Sequence, residues 1–329
     1  MAHELDQRKD GTYTMGRLEG TDQSWHGLEV VVPVNSSEET WLTASGMDFH
    51  IERSPVCFVD KNGLTHNMPT KHVLYRGDSH KPISTVSEGY NLVQPREVMG
   101  FFTDLCNQNK LVLNTAGVIK QSSRFWALAS TGIKTTIGNT DVVKSYILIA
   151  TSADGSMATT VKHTSIRVVC NNTLSLCLNN KEAAIRVPHS TFFNAEQVKM
   201  DLGLIENEFD EFAGMANEMH DWKVTDEVAK HWYAEFLAGK ILDADEANKY
   251  ANESRMFKNF YDGYKNGKGA EETMWGIING VTYVVDHLRG RSNDTRMDSA
   301  MFGTGAALKA KAWKKALKEV VSTTDPVSV

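Results

Sequence analysis

Short runs of alternating or β-branched apolar positions, cut by turn material, fill the first 90 residues. LEVVVPV (28–34) predicts a strand, as do MDFHIE (47–52) and the VCFVD that follows a Ser-Pro. DKNG (60–63) is a turn signal, and HVLYRG (72–77) reads as another strand closed by GDS. The period then changes. In QPREVMGFFTDLCNQN (94–109), Val98, Phe101, Phe102 and Leu105 share one helical face, and Pro95 suits a first turn. A meander follows in LVLNTAGVI (111–119), SRFWALAS (123–130), VVKSYILIA (142–150) and SMATTVKHT (156–164). The Asp-Gly of SADGS (152–156) is its clearest hairpin signal.

The junction HTSIRVVCNNTLSLCLNN (163–180) predicts a second helix, capped by Asn171 or Asn172 with Thr173 beside them and LSLCL as its buried face. Beyond residue 191 the spacing is helical with acids on the outer face. Two further helices are predicted over 270–291 and 306–320. These patterns predict an α+β chain: a β-rich N-terminal half, a helix–β-meander–helix core and a helical C-terminal third. Four segments follow: strands and loops (1–93), the core (94–190), an acidic helical region (191–291) and a basic tail (292–329).

Charge sharpens this division. The chain of 329 residues carries a formal net charge of −6. Residues 1–104 hold net −6, 105–190 net +6, 191–286 net −10 and 287–329 net +4. The sign of a local patch, not the total, decides which surface meets a polyanion. The N-terminus is polar, so no signal peptide is expected, and no apolar run is long enough for a bilayer. Four widely spaced cysteines without a CxxC pair fit a reducing, cytoplasmic setting.

The basic core supplies the candidate chemistry. Arg124 with Phe125 and Trp126, and Lys120 and Lys134 nearby, match the cation-plus-aromatic surfaces on which single strands stack their bases. Phe125 and Trp126 point to opposite faces of a strand, so one could face a core while the other is exposed or covered by a helix. Lys144 extends the set. At the junction, capping by Asn171, Asn172 and Thr173 alone is one reading. A helix N-terminus flanked by Lys162, His163 and Arg167 that seats a phosphate is another. His163, Cys170 and Cys177 do not have zinc spacing. Asp286 and His287 are neighbours on a helix and do not face each other, so an ion pair or compensation of a helix terminus is the simpler reading. The tail lysines 309, 311, 314, 315 and 318 around Trp313 could be solvated, touch nucleic acid or dock on the acidic region.

No Walker A, strand-borne GxGxxG, HExxH, GxSxG or EF-hand pattern occurs, so neither enzymatic activity nor a metal or cofactor has positive support.

SWHGL (24–28), FFTDL, AGVIKQSSRFWALA, SADGS, RVVCNNTL, VTYVVDH and FGTGAALKAKA, in this order, resemble the phage/plasmid-like DUF932 proteins over nearly the whole chain. RVVCNNTL is the most specific of these pieces. Thr282 stands where the resemblance leads one to expect an acid, which argues against catalysis on that helix. A second resemblance, architectural only, is to Rad52-like single-strand annealing proteins. Together they imply a cytoplasmic phage or plasmid protein of a bacterial host. It would bind single-stranded nucleic acid without covalent chemistry, anneal strands and form a homo-oligomer. The alternative is a counter-defence protein that meets a host protein through its acidic helices. In the first reading Lys120, Arg124, Trp126, Lys134, Lys144, Lys162, His163 and Arg167 line the groove.

Overall fold

The computed structural model describes residues 7–8, 10–21, 28–108, 110–139, 141–167, 173–175, 184–187, 205–267, 270–289 and 296–324. Strands dominate the first part: β1 (Met15–Leu18), β2 (Val30–Val32), β3 (Ile51–Val59), β4 (Thr65–Arg76) and β5 (Pro82–Ser87), with the helices α1 (Glu38–Ser45) and α2 (Pro95–Gln108). The meander is β6 (Val112–Ile119), β7 (Arg124–Ile137), β8 (Asp141–Ser152) and β9 (Thr159–Arg167), followed by β10 (Thr173–Ser175) and β11 (Ala184–Val187). Helices make up the rest: α3 (Ile205–Asp221), α4 (Asp226–Ala238), α5 (Ala244–Glu253), α6 (Arg255–Asn266), α7 (Met274–Tyr283), α8 (Arg296–Met301) and α9 (Thr304–Thr324). A π turn, Val284–Leu288, continues α7. The α+β class expected from the sequence is therefore what the chain adopts.

Helix α1 falls in a segment expected to hold strands and loops only, and the junction differs as well. Where a helix was expected to start, Thr173–Ser175 is a strand, antiparallel to Thr164–Ile166 of β9. Asn favours turns as strongly as helix N-caps, and a short apolar run does not separate strand from helix. Asn171 and Asn172 lie outside the described residues.

Eight of the described strands form one sheet in the order β10-β9-β8-β7-β6-β1-β2, with β11 also on β9. Strands β1 and β2 thus join the early segment to the meander. One face carries Phe125, Ala127, Ala129, Ile147, Ile149 and Val161, packed with residues of α1 and α2. Further along, Ile137 and Val143 pack with residues of α3, α4, α6, α7 and α9. The opposite face carries Trp126, Leu128, Tyr146, Leu148 and Ala150 under Met301, Met157 and Phe302. Asp141, at the start of β8, accepts a buried bond from the Trp275 indole of α7 at 2.7 Å, which ties the sheet to the helices.

Strands β3, β4 and β5 form a second sheet. Strand β5 pairs only with Lys71–Tyr75, so Val56–Val59 and Thr65–Met68 project as a two-stranded ribbon closed by the turn at Asp60–Gly63. Among the described residues, no helix is long and apolar enough to cross a membrane.

Candidate nucleic-acid interface

Side chains two apart on a strand share a face, and cross-strand partners share it too. The register aligns Lys134 with Lys144 and Leu148 with Lys162. The irregularity between Ser130 and Lys134 inserts two residues and so preserves the parity. Arg124, Trp126, Lys134, Lys144 and Lys162 therefore share one face, five of the eight positions singled out in the sequence.

Their exposure corrects the sequence reading. Trp126 is 1% exposed and Phe125 0%, so neither offers a stacking surface. Sheet alternation sends them to opposite faces, and both faces are covered. Arg124 is also buried. Its guanidinium donates to Ser156 Oγ at 3.4 Å and lies 5.6 Å from the centre of the Phe302 ring. From the neighbouring strand Lys162 donates to the Met301 carbonyl at 2.7 Å and lies 5.6 Å from the same ring. The half-buried Phe302 ring thus has two cations near it, which its negative π face favours. At the open end of this face Lys134 is exposed and Lys144 half-buried, directly opposite each other. Two like charges at such range raise the local positive potential.

Local structure fixes Arg124. The turn before it holds Lys120, Gln121 and Ser122 at φ +55°, +52° and +69°. That conformation costs a non-glycine residue roughly 1–2 kcal/mol. It is held by Arg76 donating to Ser122 Oγ at 2.8 Å and by the Ala153 amide donating to Ser123 O at 2.8 Å. Lys120 is half-buried in this turn. Behind Arg124, Ser156 donates its amide to Asp154 at 2.9 Å. Burial, the largest single influence, pushes the Asp154 carboxyl up, but donors from Ser156, Ser152 and Ser123 together hold it below its ordinary range.

His163 belongs to the other face and is buried against Phe209, with ring centroids 5.4 Å apart. Its Nε2 lies 2.6 Å from Ser145 Oγ. This is a core histidine, out of reach of a polyanion. Burial pushes its pKa down to about 4. Above the unfolded value near 6.5 both states are neutral. As pH falls below it, the unfolded chain takes up a proton that the folded one refuses until about 4, so stability drops across that window. Urea unfolding between neutral pH and the folded pKa should show a loss of about 3 kcal/mol from this residue. In His163→Gln that part of the acid limb is absent, and an unchanged limb would contradict the assignment. Arg167 pairs with Val143 through its backbone; its side chain lies outside the described residues.

Three of the five tail lysines meet partners within the helices, and Lys314 and Lys318 are exposed. Lys309 is buried, its Nζ 2.7 Å from Asp286 Oδ1. Lys315 pairs with Glu235 and Glu319 and lies over Trp232, and Lys311 lies over Phe236. Trp313 stacks on Phe212, ring centroids 5.2 Å apart. Lys311 and Lys315 thus sit on α4 of the acidic helical region. Among the described residues, no group of three His, Cys, Asp or Glu could hold a metal ion. Cys170 and Cys177 lie outside them.

Residues 82–311 match the sequence model of a family described as a domain of unknown function, DUF932. The chain belongs to the DUF932 family. The DUF932 match opens at Pro82, the first residue of β5, and closes inside α9, so it contains every residue from Lys120 to Phe302 discussed above. The β3–β4 ribbon precedes it. No curated protein and no solved structure matches the chain. The likeness of this DUF932 member to Rad52-like annealing proteins stays an expectation. Phe302 is the residue that the sequence reading missed. It is 178 positions from Arg124 and 140 from Lys162, and only a weak local signal, an aromatic in MFGTG between two helical patterns, marks it.

Proposed function

We propose that this DUF932 protein binds single-stranded nucleic acid across the sheet face of Lys134, Lys144 and Lys162, with Phe302 as the stacking platform. The observation that carries the reading is the half-buried Phe302 ring 5.6 Å from both Arg124 and Lys162, with the Lys134–Lys144 pair on the same face. Phosphates meet the lysines, a base lies on the half-exposed ring, and the buried Arg124 holds the ring in place rather than tracking the strand. Single strands are preferred because a duplex keeps its base faces stacked on one another. No covalent step is involved, and strand annealing would use the same face to present bases.

Photo-crosslinking with an oligonucleotide carrying 4-thiothymidine tests this directly. Crosslinks are expected on the segment around Phe302. Phe302→Ala should weaken binding about tenfold or more, the size of one lost base stack, while Phe302→Trp retains it. Crosslinks confined to the acidic helices, or an affinity indifferent to Phe302→Ala, would overturn the reading.

A further inference from the structure

An asparagine followed by glycine can lose its side-chain amide without an enzyme. The glycine nitrogen attacks the asparagine Cγ, and glycine has no Cβ to hinder the approach. The attack needs a backbone free to turn and a glycine amide released from other bonds. The chain has three such steps, Asn62–Gly63, Asn266–Gly267 and Asn279–Gly280.

Their surroundings separate them. Asn279 is buried inside α7, and its Nδ2 donates to the Trp275 carbonyl at 2.9 Å. A Cβ on Gly280 would strike Tyr233 Oη, so the backbone there is closely packed. Asn266 ends α6, its Nδ2 donating to Asp262 Oδ1 at 2.7 Å and the Gly267 amide to the Gly263 carbonyl at 3.1 Å. Asn62 is exposed at the tip of the β3–β4 ribbon, and a Cβ on Gly63 would meet nothing within 4 Å. The tip is held by its own bonds. The Gly63 amide donates to the Asp60 carbonyl at 3.0 Å, and Asp60 Oδ1 accepts from the amides of Asn62 and Leu64 at 2.8 and 2.9 Å. These must open before the attack. They are bathed in water, and β5 pairs only further down the ribbon, so local opening costs little.

We infer that Asn62 is a deamidation site, the one of the three that reacts in the folded chain. Hydroxide takes the Gly63 amide proton, and the nitrogen bonds to Asn62 Cγ. The Cγ–Nδ2 bond breaks, and ammonia leaves with a proton from water. A water molecule then opens the cyclic imide at either carbonyl. One product is aspartate. The other is isoaspartate, in which the backbone runs through the side chain and is longer by a methylene. No oxidant or reductant takes part. Either product adds a negative charge to residues 56–68, where Asp60 and Lys61 now balance. The isoaspartate also moves the Gly63 N–H off the Asp60 carbonyl and so loosens the turn. The site lies on the second sheet, so its failure would leave the nucleic-acid proposal intact.

The test is peptide mapping by mass spectrometry of the full folded chain, held for days at mildly alkaline pH. The peptide with Asn62 should gain about 1 Da and split into two products. Labelling by an isoaspartyl methyltransferase should mark one of them. The peptides with Asn266 and Asn279 should lag at least about tenfold, because their backbones open far less often. Asn62→Gln, in an exposed turn, should keep the melting temperature and abolish the gain. A gain that persists in Asn62→Gln, Asn266 or Asn279 reacting as fast as Asn62, or a folded chain unchanged while a synthetic 56–68 peptide converts, would each overturn the inference.

Discussion

Reversing Lys134 and Lys144 together to Glu is expected to lower affinity for a single-stranded oligonucleotide by about 100-fold near physiological salt. Each ammonium that neutralises a phosphate releases a condensed counterion, worth a slope of about 0.7 in log affinity against log salt for single strands. Reversal removes that release and adds repulsion. The pair stands on the open end of the face, Lys134 exposed and Lys144 half-buried, so the core is not disturbed. Fold stability is a built-in control. The double reversal replaces one like-charged cross-strand pair by another, leaving the hairpin nearly unchanged. Lys134→Glu alone sets opposite charges across the strands and should stabilise it by a few tenths of a kcal/mol. That single variant should therefore melt no lower than wild type while binding more weakly. Anisotropy titrations beside thermal melts check both points, and binding that survives the double reversal would remove these lysines from the interface.

Lys309→Ala should cost about 3–5 kcal/mol of unfolding free energy, the typical penalty for stripping one partner from a buried ion pair. Lys309 and Asp286 are both buried, 2.7 Å apart. Without the amine, the buried Asp286 carboxylate loses this charged donor. Asp286 comes from the π turn after α7 and Lys309 from the second turn of α9, so the pair fixes the corner that carries α8 and Phe302. Gly305 marks how tight that corner is. A Cβ there would stand 2.8 Å from the Ser299 carbonyl and from Val285. Lys309→Met with Asp286→Leu removes both charges and should recover most of the lost stability. Urea unfolding of the single and double variants distinguishes the two outcomes, and a double variant as unstable as the single one would contradict this account of the pair. Through the corner, Lys309→Ala should also weaken nucleic-acid binding.

Helix α2 and the meander strands were legible because their signals are local: a helical stripe at Val98, Phe101, Phe102 and Leu105, β-branched runs in β6 to β9, and an Asp-Gly turn. Strand β10 was not, since Asn, Thr and Leu at 171–174 suit a turn and strand as well as a capped helix. The face shared by Lys134, Lys144 and Lys162 followed from parity once the strands were paired, but burial did not. Alternation sends Phe125 and Trp126 to opposite faces, yet what covers each comes from distant segments, such as Met301 of α8 over Trp126. Phe302 and the buried Lys309 were invisible for the same reason. Nothing local separates Lys309 from the other tail lysines. The basic core drew attention to the face that holds Lys134, Lys144 and Lys162, while the aromatic beside Lys162, Phe302, comes from the far end of the chain.

The most direct test of the central claim is fluorescence anisotropy with a labelled single-stranded oligonucleotide, titrated from low to physiological salt beside a duplex control. The proposed phosphate contacts of three lysines predict tight binding at low salt, preference for the single strand, and a log–log salt slope of about −2. No binding at low salt, or binding indifferent to salt and strandedness, would contradict the account.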